Sequence, residues 1–298
     1  MHPAENIITV RAPAKLNLYL HVTGRRVDGY HELDSLIVFT ELHDEITVAP
    51  QDCLTLQESG PFGDHLRRDP SDNIVLQAAS LLATLAGLRA KAKISLYKAL
   101  PIAAGLGGGS ADAAAALRAL CRLWLIDPKK EELETLALSL GADVPVCLKG
   151  LAAHVGGIGE VLKPLSQPLP RVPLVLVNPG VPLPTQLVYG LLRAPYAPPR
   201  PLNALPKDTN ELSRSLAQRN NDLSQPARKL CPVIDDVLAA LSSSEGCNLA
   251  RLSGSGPTCF GLFTDTDVAE AAASRISALR ADWWVKPTHC VGDITSLD

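Results

Sequence analysis

A glycine-rich loop between a strand and a helix is the feature that most limits what this chain can fold into. Residues 91–98 alternate apolar and polar side chains, which predicts a short strand. The loop PIAAGLGGG follows at residues 101–109 and leads into an Ala- and Leu-rich predicted helix at 110–124, with Ser110 at its start. Such a loop gathers unobstructed backbone N–H groups and the positive end of the helix dipole at one point. The sequence therefore predicts a binding site for a di- or triphosphate.

Two common phosphate-binding motifs do not fit this loop. A Walker A loop requires a Lys directly after its last glycine, and no Lys follows Gly109. A dinucleotide-binding fingerprint requires a third glycine at the position that Ser110 occupies. A tight turn into the helix, without any ligand, is the plain structural alternative.

Hydrophobic patterning predicts an α+β chain around the loop. The expected strands are 7–12, 15–22, 44–50, 151–155, 173–178, 248–252, 258–263 and 283–287. The expected helices are 73–86 with Asp72 as cap, 131–140, 222–242 and 267–280. Of the 24 prolines, 12 fall between residues 164 and 206, which indicates a passage between two domains and a long surface loop.

Composition excludes several classes of function. The net charge is −3 without a basic block, which argues against a nucleic-acid partner. No apolar run reaches 18 residues, which argues against a membrane partner. The seven cysteines show no C-x-x-C spacing, so neither a disulfide framework nor a zinc site is indicated. We expect a reduced, cytoplasmic protein that is a monomer or a weak homodimer.

The loop resembles the second motif of the galactokinase–homoserine kinase–mevalonate kinase (GHMP) family, P-x-x-x-G-L-G-G-G-S. Residues 11–20 (RAPAKLNLYL) resemble the first motif of that family, and residues 252–260 (LSGSGPTCF) resemble the third. Three further segments resemble a branch that acts on a cytidine diphosphate polyol: DGYHEL at 28–33, GADVP at 141–145 and NPGVPLPT at 178–185. The chain departs from the usual loop at Ala103, Ala104 and Ala111, where the family more often has Gly, Gly and Ser.

The resemblance implies a two-domain GHMP kinase fold of the α+β class, with an ATP/substrate cleft between domain 1–165 and domain 166–298. It implies ATP and Mg²⁺ as cofactors. The implied reaction phosphorylates the 2-hydroxyl of a methylerythritol linked to cytidine diphosphate, in the non-mevalonate route to isoprenoids. Two alternatives stay open at this point. One is a sister kinase that acts on mevalonate, homoserine or a sugar, and the other is a non-catalytic relative that binds a metabolite.

Two residues match the catalytic pair of the family. Asp143 corresponds to the carboxylate that accepts the hydroxyl proton, and Lys15 corresponds to the active-site lysine. An ammonium at that place would acidify the attacking hydroxyl and stabilise the carboxylate. Without the motifs, Asp143 could equally cap a helix and Lys15 could be a solvated strand residue.

The resemblance also assigns binding residues, and none of them as a metal ligand. Those for the nucleotide are Asn73, Lys98, Pro101, Gly105, Leu106, Gly107, Gly108, Gly109, Ser110 and Ala111. Those for the substrate are Asn17, Tyr30, His31, Thr185 and Tyr189. In this assignment an aromatic face stacks on the cytosine and the imidazole hydrogen-bonds its edge. Ordinary packing, an edge-strand position, helix capping and surface exposure are the alternatives for these side chains. Asp222 also resembles a family position, but its simplest role is to cap the helix that follows.

Overall fold

The computed structural model of the protein describes residues 6–66, 72–167, 169–202 and 205–294. Its strands are β1 (Ile8–Arg25), β2 (His31–Ala49), β3 (Leu54–Ser59), β4 (Ala92–Tyr97), β5 (Ala153–Gly157), β6 (Val161–Pro164), β7 (Pro173–Asn178), β8 (Cys247–Leu252), β9 (Cys259–Phe263) and β10 (Trp284–Val291). Its α-helices are α1 (Ile74–Leu85), α2 (Gly108–Trp124), α3 (Lys130–Leu140), α4 (Val144–Lys149), α5 (Thr185–Gly190), α6 (Thr209–Ala217), α7 (Ser224–Leu230), α8 (Val233–Ser242) and α9 (Thr266–Leu279). A short 3₁₀ helix spans Gly63–Leu66.

The long strand β2 organises one mixed sheet. It pairs with β1 along nearly its whole length, so that β1 occupies one edge. The other edge pairs in turn with β5, β10 and β4. Beyond these, β10 pairs with β7, β7 with β9, and β9 with β8. Because β10 pairs with both β2 and β7, it joins the two halves of the chain. The domain boundary predicted near residue 165 stays a prediction.

The predicted separate strands 7–12 and 15–22 are wrong, because both belong to the single strand β1. The pairing of β1 with β2 shifts register between Pro13 and Lys15. Proline has no N–H to donate to the ladder, so a bulge at this place interrupts the pairing without ending the strand. The predicted strand 44–50 is likewise only the last part of β2.

The first half of the chain packs its helices on this sheet around α2. A run of alanines, Ala113 to Ala116, is fully buried where α2 contacts β1 and β2. Small side chains allow a helix to approach a sheet closely. The helix begins at Gly108 and not at Ser110, because Gly107 has the left-handed φ of 63° at the N-cap. The predicted cap of α1 is also corrected, since Asn73 and not Asp72 accepts the N–H of Val75.

The second half packs α7, α8 and α9 on β7 and β9 around a separate apolar core. The predicted helix 222–242 is two helices, since Pro232 separates α7 from α8. Asp222 does not cap α7: its Oδ2 accepts the backbone N–H of Val22 at 2.8 Å and thereby ties α7 to β1. The proline-rich stretch 164–206 contains the unpredicted helix α5, and α6 follows it. Within the described ranges, no helix combines the length and the apolar character that crossing a bilayer requires.

Candidate active site

The three sequence motifs meet at the glycine loop. The backbone N–H of Lys15, in the first motif, donates to the carbonyl of Leu106 at 2.8 Å. Ser253, in the third motif, donates its hydroxyl to the carbonyl of Gly105 at 3.0 Å. Gly105 has a φ of 72°, and a β-carbon there would lie 2.5 Å from the carbonyl oxygen of Ser253. Only glycine allows this approach of the two turns.

Lys15 and Asp143 form an ion pair beside this loop. Lys15 Nζ lies 3.1 Å from Asp143 Oδ2, and the two side chains are 5% and 42% exposed. The ammonium is therefore enclosed, while the carboxylate opens into the cleft. Asp143 occupies the N-cap position of α4, but its side chain makes no capping hydrogen bond. The capping alternative from the sequence does not describe this carboxylate.

Asn17 orients the lysine from the same face of β1, as its spacing predicts. Its Oδ1 accepts a hydrogen bond from Lys15 Nζ at 2.9 Å, and its Nδ2 donates to Ser35 Oγ at 2.8 Å. Ser35 in turn donates to the carbonyl of Tyr19 at 2.6 Å. This buried chain of hydrogen bonds fixes the direction in which the ammonium points.

A cleft of about 1040 Å³ runs past this pair and contains most of the predicted site. The predicted residues that line it are Lys15, Asn17, Asn73, Lys98, Pro101, Gly105, Gly107, Gly108, Gly109, Ser110, Asp143, Thr185 and Tyr189. Leu106 and Ala111 are instead buried in the core behind the loop, at 1% and 2% exposure. The N–H of Ala111 donates to the carbonyl of Gly107 within the helix turn. Its methyl group packs in the core and leaves nothing to face a ligand.

The alternative of a surface lysine is wrong, because Lys98 does not project into solvent. Its Nζ lies 2.5 Å from both Asp44 Oδ2 and Asp112 Oδ2, and the side chains are at most 3% exposed. Burial alone would lower the pKa of Lys98, but the two carboxylates outweigh it and raise that pKa above its usual value. Asp44 Oδ1 also accepts the N–H groups of Ala99 and Leu100, so this cluster joins β2 to the start of the loop.

Asn73 and Thr185 make structural hydrogen bonds at the cleft wall. Asn73 caps α1 with its Oδ1, as its alternative supposed, and donates Nδ2 to Glu58 Oε1 at 2.7 Å. The hydroxyl of Thr185 lies 2.8 Å from Ser255 Oγ, which links α5 to the third motif.

Of the residues predicted to bind the base, Tyr189 lines the cleft, whereas Tyr30 and His31 are not part of its lining. The His31 ring lies 5.3 Å from the Tyr189 ring, centroid to centroid, at a tilt of 36°. Burial, helped by the charge of Arg25, lowers the pKa of His31 below its usual value, which favours the neutral imidazole. Burial and the charge of Asp143 raise the pKa of the Tyr189 phenol. Tyr30, on the preceding turn, is 58% exposed.

The chain matches known proteins over most of its length. Residues 73–151 match the GHMP kinases N terminal domain, and residues 202–281 match the GHMP kinases C terminal domain. A 4-diphosphocytidyl-2-C-methyl-D-erythritol kinase of Paramagnetospirillum magneticum is 49% identical over 281 residues, which is 94% of this chain and 98% of that protein. The kinase of the same name from Rhodospirillum rubrum is 47% identical, over 98% of this chain and 95% of its own length.

The chain belongs to the GHMP kinase family.

Solved structures agree with this membership. A crystal structure of 4-(cytidine 5'-diphospho)-2C-methyl-D-erythritol kinase superposes with a TM-score of 0.79 at 38% identity, covering 96% of this chain and all of that one. A homoserine kinase of Cytophaga hutchinsonii has the same fold, with a TM-score of 0.74 at 20% identity over 98% of this chain and 97% of its own. The predicted two-domain α+β GHMP kinase fold is therefore confirmed.

Several residues at this GHMP kinase site are not predicted from the sequence. Ser253 and Ser255 belong to the third motif, so the motif could have indicated them. Ser35 and Asp44 lie outside the motifs, and nothing in their spacing indicates that they approach the site, whereas Asp112 directly follows Ala111 of the loop motif. These side chains reach the site through the contacts between β1, β2, β4 and α2.

The cleft contains an oxygen donor that would fit a Mg²⁺ ion shared with a nucleotide. Among the residues that the structure describes, no cluster of three or more His, Cys, Asp and Glu side chains could hold a metal by itself. Mg²⁺ commonly takes only one or two carboxylates together with substrate phosphates. The hydroxyl of Ser110, in the first turn of α2, lines the cleft, and it fits an ion whose other ligands are mainly phosphate oxygens and water.

Proposed function

We propose that this GHMP kinase transfers the γ-phosphoryl group of ATP to the 2-hydroxyl of 4-diphosphocytidyl-2-C-methyl-D-erythritol, a step of the non-mevalonate route to isoprenoids. One observation carries the proposal: the 3.1 Å pair of Lys15 and Asp143 shares one cleft with the glycine loop and with Tyr189, whose ring packs beside that of His31. The names of the relatives at 47–49% identity support the same reaction.

The nucleotide binds at the glycine-loop end in this proposal. The first N–H groups of α2, after the left-handed Gly107, have no carbonyl partners within the helix and suit the phosphates of ATP. Apolar side chains beside the loop suit the flat face of the adenine. They are Leu54, Leu56, Ile74, Leu96 and Ile102. Ser110 would hold Mg²⁺ together with the phosphates of ATP, and the ion neutralises phosphate charge when bound.

Asp143 and Lys15 perform the proton chemistry in this proposal. The exposed carboxylate of Asp143 accepts the proton of the attacking hydroxyl. The enclosed ammonium of Lys15, oriented by Asn17, stabilises the negative charge that develops on the hydroxyl oxygen. Phosphoryl transfer depends strongly on positioning, so the rigid placement of this pair matters as much as its basicity.

The pyrimidine binds beside His31 and Tyr189 in this proposal. A neutral imidazole has one donor and one acceptor, and His31 can present them to the edge of the cytosine. Tyr189 supplies an aromatic face from α5, and the exposed Tyr30 is free to lie against the other face of the base. Mevalonate and homoserine, the substrates of the sister kinases, carry no pyrimidine.

A substrate panel tests the function. The purified enzyme is incubated with Mg-ATP and, in turn, the cytidine diphosphate methylerythritol, mevalonate and homoserine, and phosphorus NMR records which alcohol gains a phosphate. We expect a new phosphomonoester on the cytidine substrate alone. Phosphorylation of mevalonate or homoserine would support the sister-kinase alternative, and ATP binding without any transfer would support the non-catalytic alternative. The cytoplasmic location and the monomer or weak homodimer stay predictions.

A further inference from the structure

Tyr196 contacts His31 on a side that Tyr189 leaves open. It lies in the irregular segment between α5 and α6, and its ring centroid is 6.0 Å from that of His31 with the planes at 79°. Edge-to-face pairs of this kind are favourable contacts between rings. The His31 ring is therefore held from two directions, and its buried Nε2 has no hydrogen-bond partner among the described residues.

Buried polar groups anchor the segment that carries Tyr196. Asp34 Oδ2 accepts the backbone N–H of Arg200 at 2.5 Å, and Asp34 itself is only 6% exposed. Arg219 donates to the carbonyls of Arg200 and Pro201 at 3.0 and 2.8 Å. Asp34 lies on β2, the strand that begins at His31. One strand thus holds both the imidazole and the segment that covers it.

We propose that Tyr196 is a positioning residue that holds the imidazole of His31 in the orientation that reads the pyrimidine edge. This inference rests on the proposed function. Tyr196 acts through His31 and not by touching the base. Its loss lets the ring rotate, so that the donor and the acceptor of His31 no longer meet their partners at fixed places.

A double-mutant cycle measures this coupling. We compare kcat/KM for the cytidine substrate and its uridine analogue in wild type, Tyr196→Ala, His31→Ala and the double variant. Tyr196→Ala should reduce the preference for cytidine by about 3- to 10-fold, the range that one aromatic pair contributes. The double variant should match His31→Ala, and KM for ATP should stay unchanged. Equal losses from Tyr196→Ala with and without His31 would overturn the proposal.

Two further variants exclude a general structural effect. Tyr196→Phe keeps the ring and should keep the preference. Tyr97→Ala removes the same atoms from a tyrosine that is 49% exposed on β4, and should also keep it. A loss of preference in Tyr97→Ala equal to that in Tyr196→Ala would overturn the role of Tyr196.

NMR of the ligand-free enzyme separates this inference from the proposed function. The ring signals of His31 are assigned by their absence in His31→Ala. In Tyr196→Ala they should shift, and the pKa of His31 should rise towards its usual value because the ring becomes more hydrated. Unchanged His31 signals with normal turnover of the cytidine substrate would overturn the role of Tyr196 alone. Shifted signals without any such turnover would overturn the proposed function.

Discussion

A β-carbon at Gly107 would lie 3.0 Å from Cε of Lys15 and 3.3 Å from its Cβ. The glycine loop and the lysine of the first motif are therefore packed against each other with no room for a side chain. The φ of Gly107, 63°, is also one that L-residues rarely adopt. A single residue thus fixes both the start of α2 and the course of the Lys15 side chain.

Gly107→Ala should weaken ATP-analogue binding by about tenfold and lower turnover, because the new methyl group displaces Lys15. Gly87→Ala is the matched control: Gly87 has a φ of 66° but nothing within 4 Å of the added carbon. Equilibrium binding and thermal melts of both variants separate the contact from the backbone strain. Equal binding by the two variants would contradict the role of this contact.

Asp143→Asn should lower kcat by roughly 10²–10⁴-fold, in the lower half of that range because positioning contributes much to phosphoryl transfer. The amide cannot accept the hydroxyl proton as the carboxylate does. ATP-analogue affinity should change little. Adding Lys15→Met to this variant should cost little more, since residues that act as a unit are not additive. Turnover close to wild type in Asp143→Asn would rule out its role as base.

His31→Ala should remove most of the preference for the cytidine substrate over its uridine analogue. The two bases present opposite donor and acceptor patterns, and a mismatch costs about 1–3 kcal/mol for each buried unpaired group. Tyr30→Ala should weaken both substrates alike, because stacking is tolerant of base identity. The measurement is kcat/KM for both analogues in the three proteins. A wild-type enzyme that treats them equally would contradict the assignment of His31.

Asp112→Asn should make the fold more stable at pH 8. Burial raises the pKa of Asp112 to about 7, although Lys98 opposes this shift. The folded state then binds a proton that the unfolded state, with a pKa of about 3.9, releases. Stability therefore falls as the pH rises from about 4 through 7. The asparagine keeps an acceptor for Lys98 and removes the charge that this cluster cannot balance.

Urea unfolding at pH 5 and pH 8 checks this expectation. The gain from Asp112→Asn should be larger at pH 8. The control is Asp52→Asn, which alters a fully exposed carboxylate 3.7 Å from Lys91 Nζ and should leave both midpoints unchanged. Parallel pH profiles for wild type and Asp112→Asn would show that Asp112 stays ionised.

Ala103→Gly should stabilise the fold by up to about 1 kcal/mol, because Ala103 has a left-handed φ of 51° that glycine adopts without strain. Ala104→Gly should destabilise it by about 0.5–1 kcal/mol, since Ala104 has no such φ and its buried methyl group would be lost. Urea unfolding of the two neighbouring variants checks the pair. The same sign for both would contradict this account of the loop.

Helices and strands with a strong local hydrophobic period have nearly the bounds that the sequence predicts. The predicted helix 267–280 corresponds to α9 and the predicted strand 258–263 to β9. The predictions failed where distant contacts decide the outcome. β1 continues past Pro13 because β2 pairs with it on both sides of the bulge, and no local pattern contains that partner.

The sequence by itself determined the glycine loop and the family. A run of glycines before a helix has few conformations open to it, and those conformations expose backbone amides whatever the rest of the chain does. The first motif then predicted Lys15, and the segment GADVP predicted Asp143, as the catalytic pair, because each segment carries its own local signature.

Only the tertiary structure decided how these residues meet. It enclosed Lys15 and left Asp143 open, placed Lys98 between two carboxylates, and brought Tyr196 onto His31. Such contacts join strands and loops that are far apart in the chain. Their distances follow from strand register and core packing, which are properties of the whole fold and not of any local segment.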